Sequence, residues 1–313
     1  MSDITNLTSN GVPVFGMITS GKSFFVDPAR GSESNTGERM DRALKSVVTA
    51  YGLCRDGYND VVYYLGGSSS PTGIAAGGLT WAKSYTHLVG LGAPTRFSQR
   101  SRQFCVGTAS TPFMFKVTGT GCQFKNIFMF HGVDDANSLH CGYVSGNRNY
   151  FENVHFAGIG HATMDVAGAA SLKLDTATEN TFKNCTIGLD TIARGADSSE
   201  ILLDGSSSKN MFEDCRIIGY IDDAAHPLVK AVDARGIEGF THFKRCLFVA
   251  TSENNGTDIN QVFDVAPSHT THIVLQDCMA VGVTAWDGTG NSKIYNNAGT
   301  PTASAGGGIA TVL

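Results

Sequence analysis

Four aspartates recur at near-equal intervals through the second half of the chain, at Asp175, Asp204, Asp233 and Asp264. Each closely follows an apolar residue (Leu174, Leu203, Val232, Phe263), and Arg235 stands near the third. If they project from one corner of successive turns of a coiled ribbon, neighbouring carboxylates lie ~5 Å apart, the separation at which a retaining glycosidase places its two carboxyl groups. The same group beside a basic side chain could hold calcium. Against both readings, stacked acids repel one another unless a cation or backbone donors intervene, and a set of Asx-turns facing water gives the same spacing. If the protein is an enzyme, these four are its expected catalytic residues; if not, it has none.

The remaining chemistry-bearing side chains form no set. His269 and His272 are three apart, which in an extended segment turns them to opposite faces, and no third ligand accompanies them. No metal and no cofactor is therefore expected. The eight cysteines include no CxxC pair, and Cys54, Cys105, Cys122 and Cys141 lie near no base motif. Trp81, Trp286, Tyr85, Tyr143, Tyr150 and Tyr220 would stack on sugars if they line an outer groove; otherwise they cover apolar surface or fill a seam between subunits. Arg96, Arg100 and Arg102 could meet an acidic partner, although a solvated face is the simpler account.

The elements that would position these groups are written as a repeat. Phe124-Lys125-Asn126-Ile127, Phe151-Glu152-Asn153-Val154, Phe182-Lys183-Asn184-Cys185, Phe212-Glu213-Asp214-Cys215, Phe243-Lys244-Arg245-Cys246 and Leu275-Gln276-Asp277-Cys278 follow one another at steps of 27, 31, 30, 31 and 32 residues. Apolar and polar positions alternate as in a strand with one buried face, and an Asn or Asp stands where the chain must turn. Each copy is thus strand, corner, strand. The intervals carry no sustained helical stripe, so one turn of a β-solenoid remains. Phe124, Phe151, Phe182, Phe212, Phe243 and Leu275 are expected to form one internal column. Ile127, Val154, Cys185, Cys215, Cys246 and Cys278 should form another, and Asn126, Asn153, Asn184, Asp214 and Asp277 a corner ladder that Arg245 interrupts.

Residues 1–23 form an arm with no period of its own. Residues 24–66 hold an opening strand, a helix over Glu38 to Cys54 and a further strand. The helix carries Met40, Ala43, Leu44, Val47, Val48 and Tyr51 on one stripe, with Asn35 and Glu38 as a capping box; its role is to cover the apolar end of the first turn. Residues 67–287 are the solenoid turns, and 288–313 are a Gly/Ala/Ser/Thr-rich tail, either loose or paired with a neighbouring subunit. The fold class is all-β, a parallel β-helix with an N-terminal capping α-helix.

Thirty-seven glycines and only eight prolines suit many tight corners between short strands. A net charge of −5, with no basic stripe, argues against a nucleic-acid partner. The polar start and the lack of a long apolar run argue against a secretion signal or a membrane anchor. Four cysteines on a buried column read as reduced core residues of a protein made in a cytoplasm.

Phe25-Val26-Asp27-Pro28, Gly31-Ser32, Ser34-Asn35-Thr36-Gly37, Ala43-Leu44 and Val61-Val62-Tyr63-Tyr64-Leu65 resemble the start of right-handed parallel β-helix proteins of the pectin-lyase-like superfamily. With His87-Leu88-Val89-Gly90-Leu91-Gly92-Ala93-Pro94-Thr95 they are similar to virion structural proteins of tailed bacteriophages. The resemblance spans roughly residues 24 to 285. It implies a homotrimer in a virion, made in the bacterial host cytoplasm and joined to a major capsid protein or tail protein through the N-terminal arm. Such a protein decorates or cements the capsid, or projects as a spike. The fold also hosts lyases, hydrolases and adhesins, so a tailspike enzyme acting on host polysaccharide and a glycan-binding adhesin stay open. A polygalacturonase-like site would need its aspartates with Gly-His-Gly and Arg-Ile-Lys; Asp134-Asp135, Asp222-Asp223 and Gly158-Ile159-Gly160-His161 do not supply that set.

Overall fold

Phe124, Phe151, Phe182, Phe212 and Phe243 stack in one column, with ring centroids 4.9, 4.6, 4.7 and 4.7 Å apart. All five are fully buried, and Leu275 continues the column in register with Phe243. The spacing is that of adjacent strands, so residues one repeat apart are vertical neighbours, as the period requires. The computed structural model describes residues 21–66, 73–95, 101–195, 198–232, 239–252, 258–266, 272–287 and 294–296, with the short strands Thr8–Ser9, Val12–Pro13, Thr302–Ala303 and Ile309–Ala310.

Three parallel sheets run along the coil. Sheet 1 has ten strands, from Ser23–Val26 to Ile294–Asn296, and carries the Phe column. Sheet 2 has eight, running from Arg102–Gly107 to Met279–Val281 with Ala193–Arg194 attached at one side. Sheet 3, also of eight, runs from Leu79–Trp81 to Val283–Asp287. The chain passes from sheet 1 around a tight corner to sheet 2, then through loops of varying length to sheet 3 and back. One apolar core fills the coil.

The corner explains the Asn/Asp column. Asn126, Asn153, Asn184, Asp214, Arg245 and Asp277 all take φ between 51° and 56°, the left-handed region that Asn and Asp tolerate best among residues with a Cβ. The corner amides of Asn126, Asn153, Asn184, Asp214 and Arg245 donate to the carbonyls of Glu152, Lys183, Glu213, Lys244 and Gln276 on the next turn, at 2.7–3.0 Å. Asn153 Nδ2 also donates to Asn126 Oδ1 at 3.1 Å. Arg245 interrupts the amide ladder but keeps its backbone, and its guanidinium binds Asp214 and Glu213 at 2.7 and 2.8 Å instead. Beside the corner, the thiols of Cys215, Cys246 and Cys278 each donate to the carbonyl of the Phe one turn earlier at 3.3 Å. All eight cysteines are buried and none is bridged.

The N-terminal cap is shorter than the sequence stripe predicts. A 3-10 turn at Met40–Arg42 and an α-helix at Val47–Leu53 replace one long helix, because Ala43 and Leu44 are extended and Leu44 pairs with the opening strand through Phe25 and Asp27. Asn35 caps nothing; its amide donates to Ala43 O at 2.8 Å. Ser46 is the cap, accepting from Thr49 N. Lys83 Nζ closes the other end, 2.7–2.9 Å from the carbonyls of Tyr51, Gly52 and Cys54, where a cation suits the helix dipole. Tyr51 stacks on the buried Trp81 at 4.1 Å, so the short helix does cover the open end of the core. Thr8–Ser9 pairs antiparallel with Val12–Pro13; the rest of the first twenty residues, and most of 288–313, lie outside the described residues.

Candidate functional site

On sheet 3, Lys116, Tyr143 and Lys173 stand in register between buried neighbours and face outward, followed in the same row by Leu202, Lys230 and Asp264. Asp175 and Asp204 occupy the next outward row, directly opposite each other. Of the three described aspartates, Asp175, Asp204 and Asp264, these two are brought together and the third is not. Asp264 is level with Lys230, not with Asp204, and its carboxylate is 3.9 Å from that ammonium. The equal sequence spacing misleads because the turns of sheet 3 differ in length: Leu174, Leu203, Ala231 and Val265 share one level, so Val232 takes the place above Asp204. Asp233 and Arg235 lie outside the described residues.

Lys173 holds the pair. Its ammonium is 2.7 Å from Asp204 and 3.8 Å from Asp175, and the Tyr143 hydroxyl donates to Asp175 through a short hydrogen bond. Burial alone would raise the Asp175 pKa, but the Tyr143 hydrogen bond and the Lys173 and Lys116 charges hold it below the ordinary carboxylate value. Burial and the same hydrogen bond push the Tyr143 phenol up. A general acid at neutral pH needs a raised carboxyl pKa, and Asp175 is driven the other way. Lys116 completes the patch, with its ammonium 4.7 Å from the Tyr143 ring centre and 5.0 Å from that of Phe113.

The other candidates are dispersed. His161 Nδ1 is 3.3 Å from an Asp134 carboxylate oxygen at the surface, apart from the patch. His272 packs against Tyr295, while His269, Arg96 and Arg100 lie outside the described residues. Arg102 covers the Phe128 and Phe130 rings at 4.7 and 5.5 Å, so it shields apolar surface. Trp81 and Trp286 are core residues, not groove linings. Among the described residues no three His, Cys, Asp or Glu side chains converge to hold a metal, and no helix is long and apolar enough to cross a membrane.

Three further arrangements lie outside the sequence expectations. Asn149, Asn180 and Asn210, each two residues before a column Phe, form a buried ladder in which the Oδ1 atoms accept from the backbone amides of Cys122, Asn149 and Asn180 at 2.8, 2.9 and 3.0 Å. The residue after each Phe alternates in charge up the outer face of sheet 1, Lys125, Glu152, Lys183, Glu213 and Lys244. Both were visible in the repeat. The third was not: Arg194 and Glu200 form a fully buried ion pair at 3.1 Å beneath the loop between sheets 2 and 3. Arg194 also donates to the carbonyls of Gly158 and Ile159, and Ser171 to Glu200 at 2.6 Å. Burial raises the Glu200 pKa despite Arg194, but solvent does not reach the group.

The chain matches no protein-family model and no curated protein. Among solved structures it is similar to the pectin methylesterase from Aspergillus niger in deglycosylated form, with 13% identity, a TM-score of 0.54 and coverage of 92% of this chain and 94% of that one. A pectate lyase aligns with 15% identity and a TM-score of 0.52 over 93% and 83% of the two chains. A pectin methylesterase in complex with a hexasaccharide aligns with 13% identity and a TM-score of 0.52 over 93% and 92%. These likenesses establish the pectin-lyase-like parallel β-helix fold.

Proposed function

We propose that this protein is a non-enzymatic structural component of a bacteriophage virion, a homotrimeric β-helix that decorates or cements the capsid or projects as a spike, with the N-terminal arm as its attachment. The observation that carries the non-enzymatic part is the Asp175–Lys173–Asp204 arrangement, in which one lysine bridges the paired acids and, with the Tyr143 hydrogen bond, lowers the Asp175 pKa. The virion assignment rests on the resemblance of the opening segments. The long stack of near-identical turns supports it physically, since a solenoid gives a stiff rod without a cofactor.

A second reading, action on or binding of host polysaccharide, is favoured by one feature: two carboxylates, a phenol and two ammonium groups share the outer face of sheet 3. Incubating the purified protein with capsule or lipopolysaccharide of its host separates the two. The structural reading expects no new reducing ends and no unsaturated sugars; release of either, abolished by Asp204→Ala while the assembly persists, replaces it with an enzyme. Glycan-array binding without turnover would indicate an adhesin. Density for the chain in images of intact particles tests the virion assignment, and its absence there would remove it.

A further inference from the structure

Large apolar side chains are exposed at the two ends of the coil and not along its middle. Met40, Val48, Leu53 and Tyr58 are exposed on the N-terminal cap, and Met279, Val281 and Tyr295 on the last turn; among the described residues none is exposed between Val106 and Phe240. At the N-terminal end the helix Val47–Leu53 lies across the opening. The other end has no helix among the described residues. There all three sheets finish on strands with an open edge: Ile294–Asn296 of sheet 1, Met279–Val281 of sheet 2 and Val283–Asp287 of sheet 3. Such an edge is a template for another strand, and the two outward apolar residues beside it, Met279 and Val281, continue an apolar strip from Leu247 and Val249.

We propose that residues 298–313 of this chain dock on that last turn as its C-terminal cap and keep a second copy from pairing there. Three observations select this occupant. Thr302–Ala303 and Ile309–Ala310 pair antiparallel with each other, and not with any strand of the coil, so they form a unit of their own. That unit lies against Met279–Val281 and Val283–Asp287, two of the three open strands. No charged side chain follows Lys293, so the side chains of the segment can face an apolar surface without burying a charge. The linker from Asn296 to Thr302, at most ~20 Å long, ends on a segment that contacts the same open turn.

The inference rests on the fold alone and stands whether or not the protein belongs to a virion. Its test compares the full chain with a variant lacking residues 298–313, by light scattering over a range of concentrations. The shortened chain is expected to gain mass with concentration, to about double or more that of the full chain at the highest concentration, and Met279→Lys with Val281→Lys in the shortened chain should reverse the gain. Equal masses for both chains at every concentration overturn the proposal. Because the shortened chain could fail to fold, a second variant decides independently: Val281→Cys with Ile309→Cys, oxidised at low concentration, since the native cysteines are buried. A disulfide within one chain is the expected product; a disulfide between chains, or none, overturns it.

Discussion

The corner between sheets 1 and 2 stacks like on like, whereas the outer faces of sheets 1 and 3 stack unlike on unlike. At the corner Phe lies on Phe, Cys on Cys and Asn on Asn, because apolar and amide groups both gain from an identical neighbour about one strand spacing away. Outside, an identical charged neighbour would repel, so Lys125, Glu152, Lys183, Glu213 and Lys244 alternate. Asp175 on Asp204 departs from that rule, and there Lys173 reaches across from the adjacent row. A parallel solenoid can therefore repeat its interior without change, but must vary its exterior.

Acid should separate the corner from the opposite side of the coil most strongly. Burial depresses His131 and His226 to about 4 and His140 to about 3, and all three lie on the side where sheets 2 and 3 meet. Folded pKa values below the unfolded value mean that the unfolded chain takes up protons first, so stability present above pH ~6.5 is lost as pH falls towards 4, by up to ~3 kcal/mol per imidazole. Hydrogen exchange near pH 4 should show residues 131–140 and 220–226 losing protection before residues 182–185 and 212–215. Simultaneous loss would erase the distinction.

Within the corner, Phe182→Ala removes a ring with a stacked partner on each side and should cost ~3–5 kcal/mol in chemical denaturation. A cost near 1 kcal/mol would mean that the column is loosely packed. Asn180→Ala deletes the acceptor for Asn180's own ladder neighbour and leaves the Asn149 amide and the Gly146 carbonyl unpaired, a loss of ~1–3 kcal/mol. On the outside, Glu152→Lys would place three lysines in a row on sheet 1. Its cost should be only ~0.2–1 kcal/mol and should shrink in high salt, whereas the two interior losses should not.

The same contrast decides what the sequence revealed. The Phe, Cys and corner Asn columns are legible because the small apolar residue, Cys in the last four copies, always stands at the third position after the Phe or Leu275, so spacing equals register. Asn149, Asn180 and Asn210 were equally regular and could have been read from their place two residues before Phe. The acid column does not align because sheet 3 follows loops of unequal length, which leave Asp264 two residues short of the level of Asp204. Arg194 and Glu200 come together through an irregular loop, which leaves no periodic trace. The capping helix was overdrawn since the stripe through Ala43 and Leu44 is equally served by a short strand pairing.

The most direct test concerns the like-charged pair Asp175 and Asp204. Site-resolved carboxyl NMR titration of Asp175, in the native protein and in Lys173→Met, measures whether the outer face of sheet 3 stores charge or a proton. A native Asp175 pKa below the ordinary carboxylate range is expected, and a rise on loss of Lys173. A native Asp175 that titrates near neutrality, as a general acid would, contradicts it.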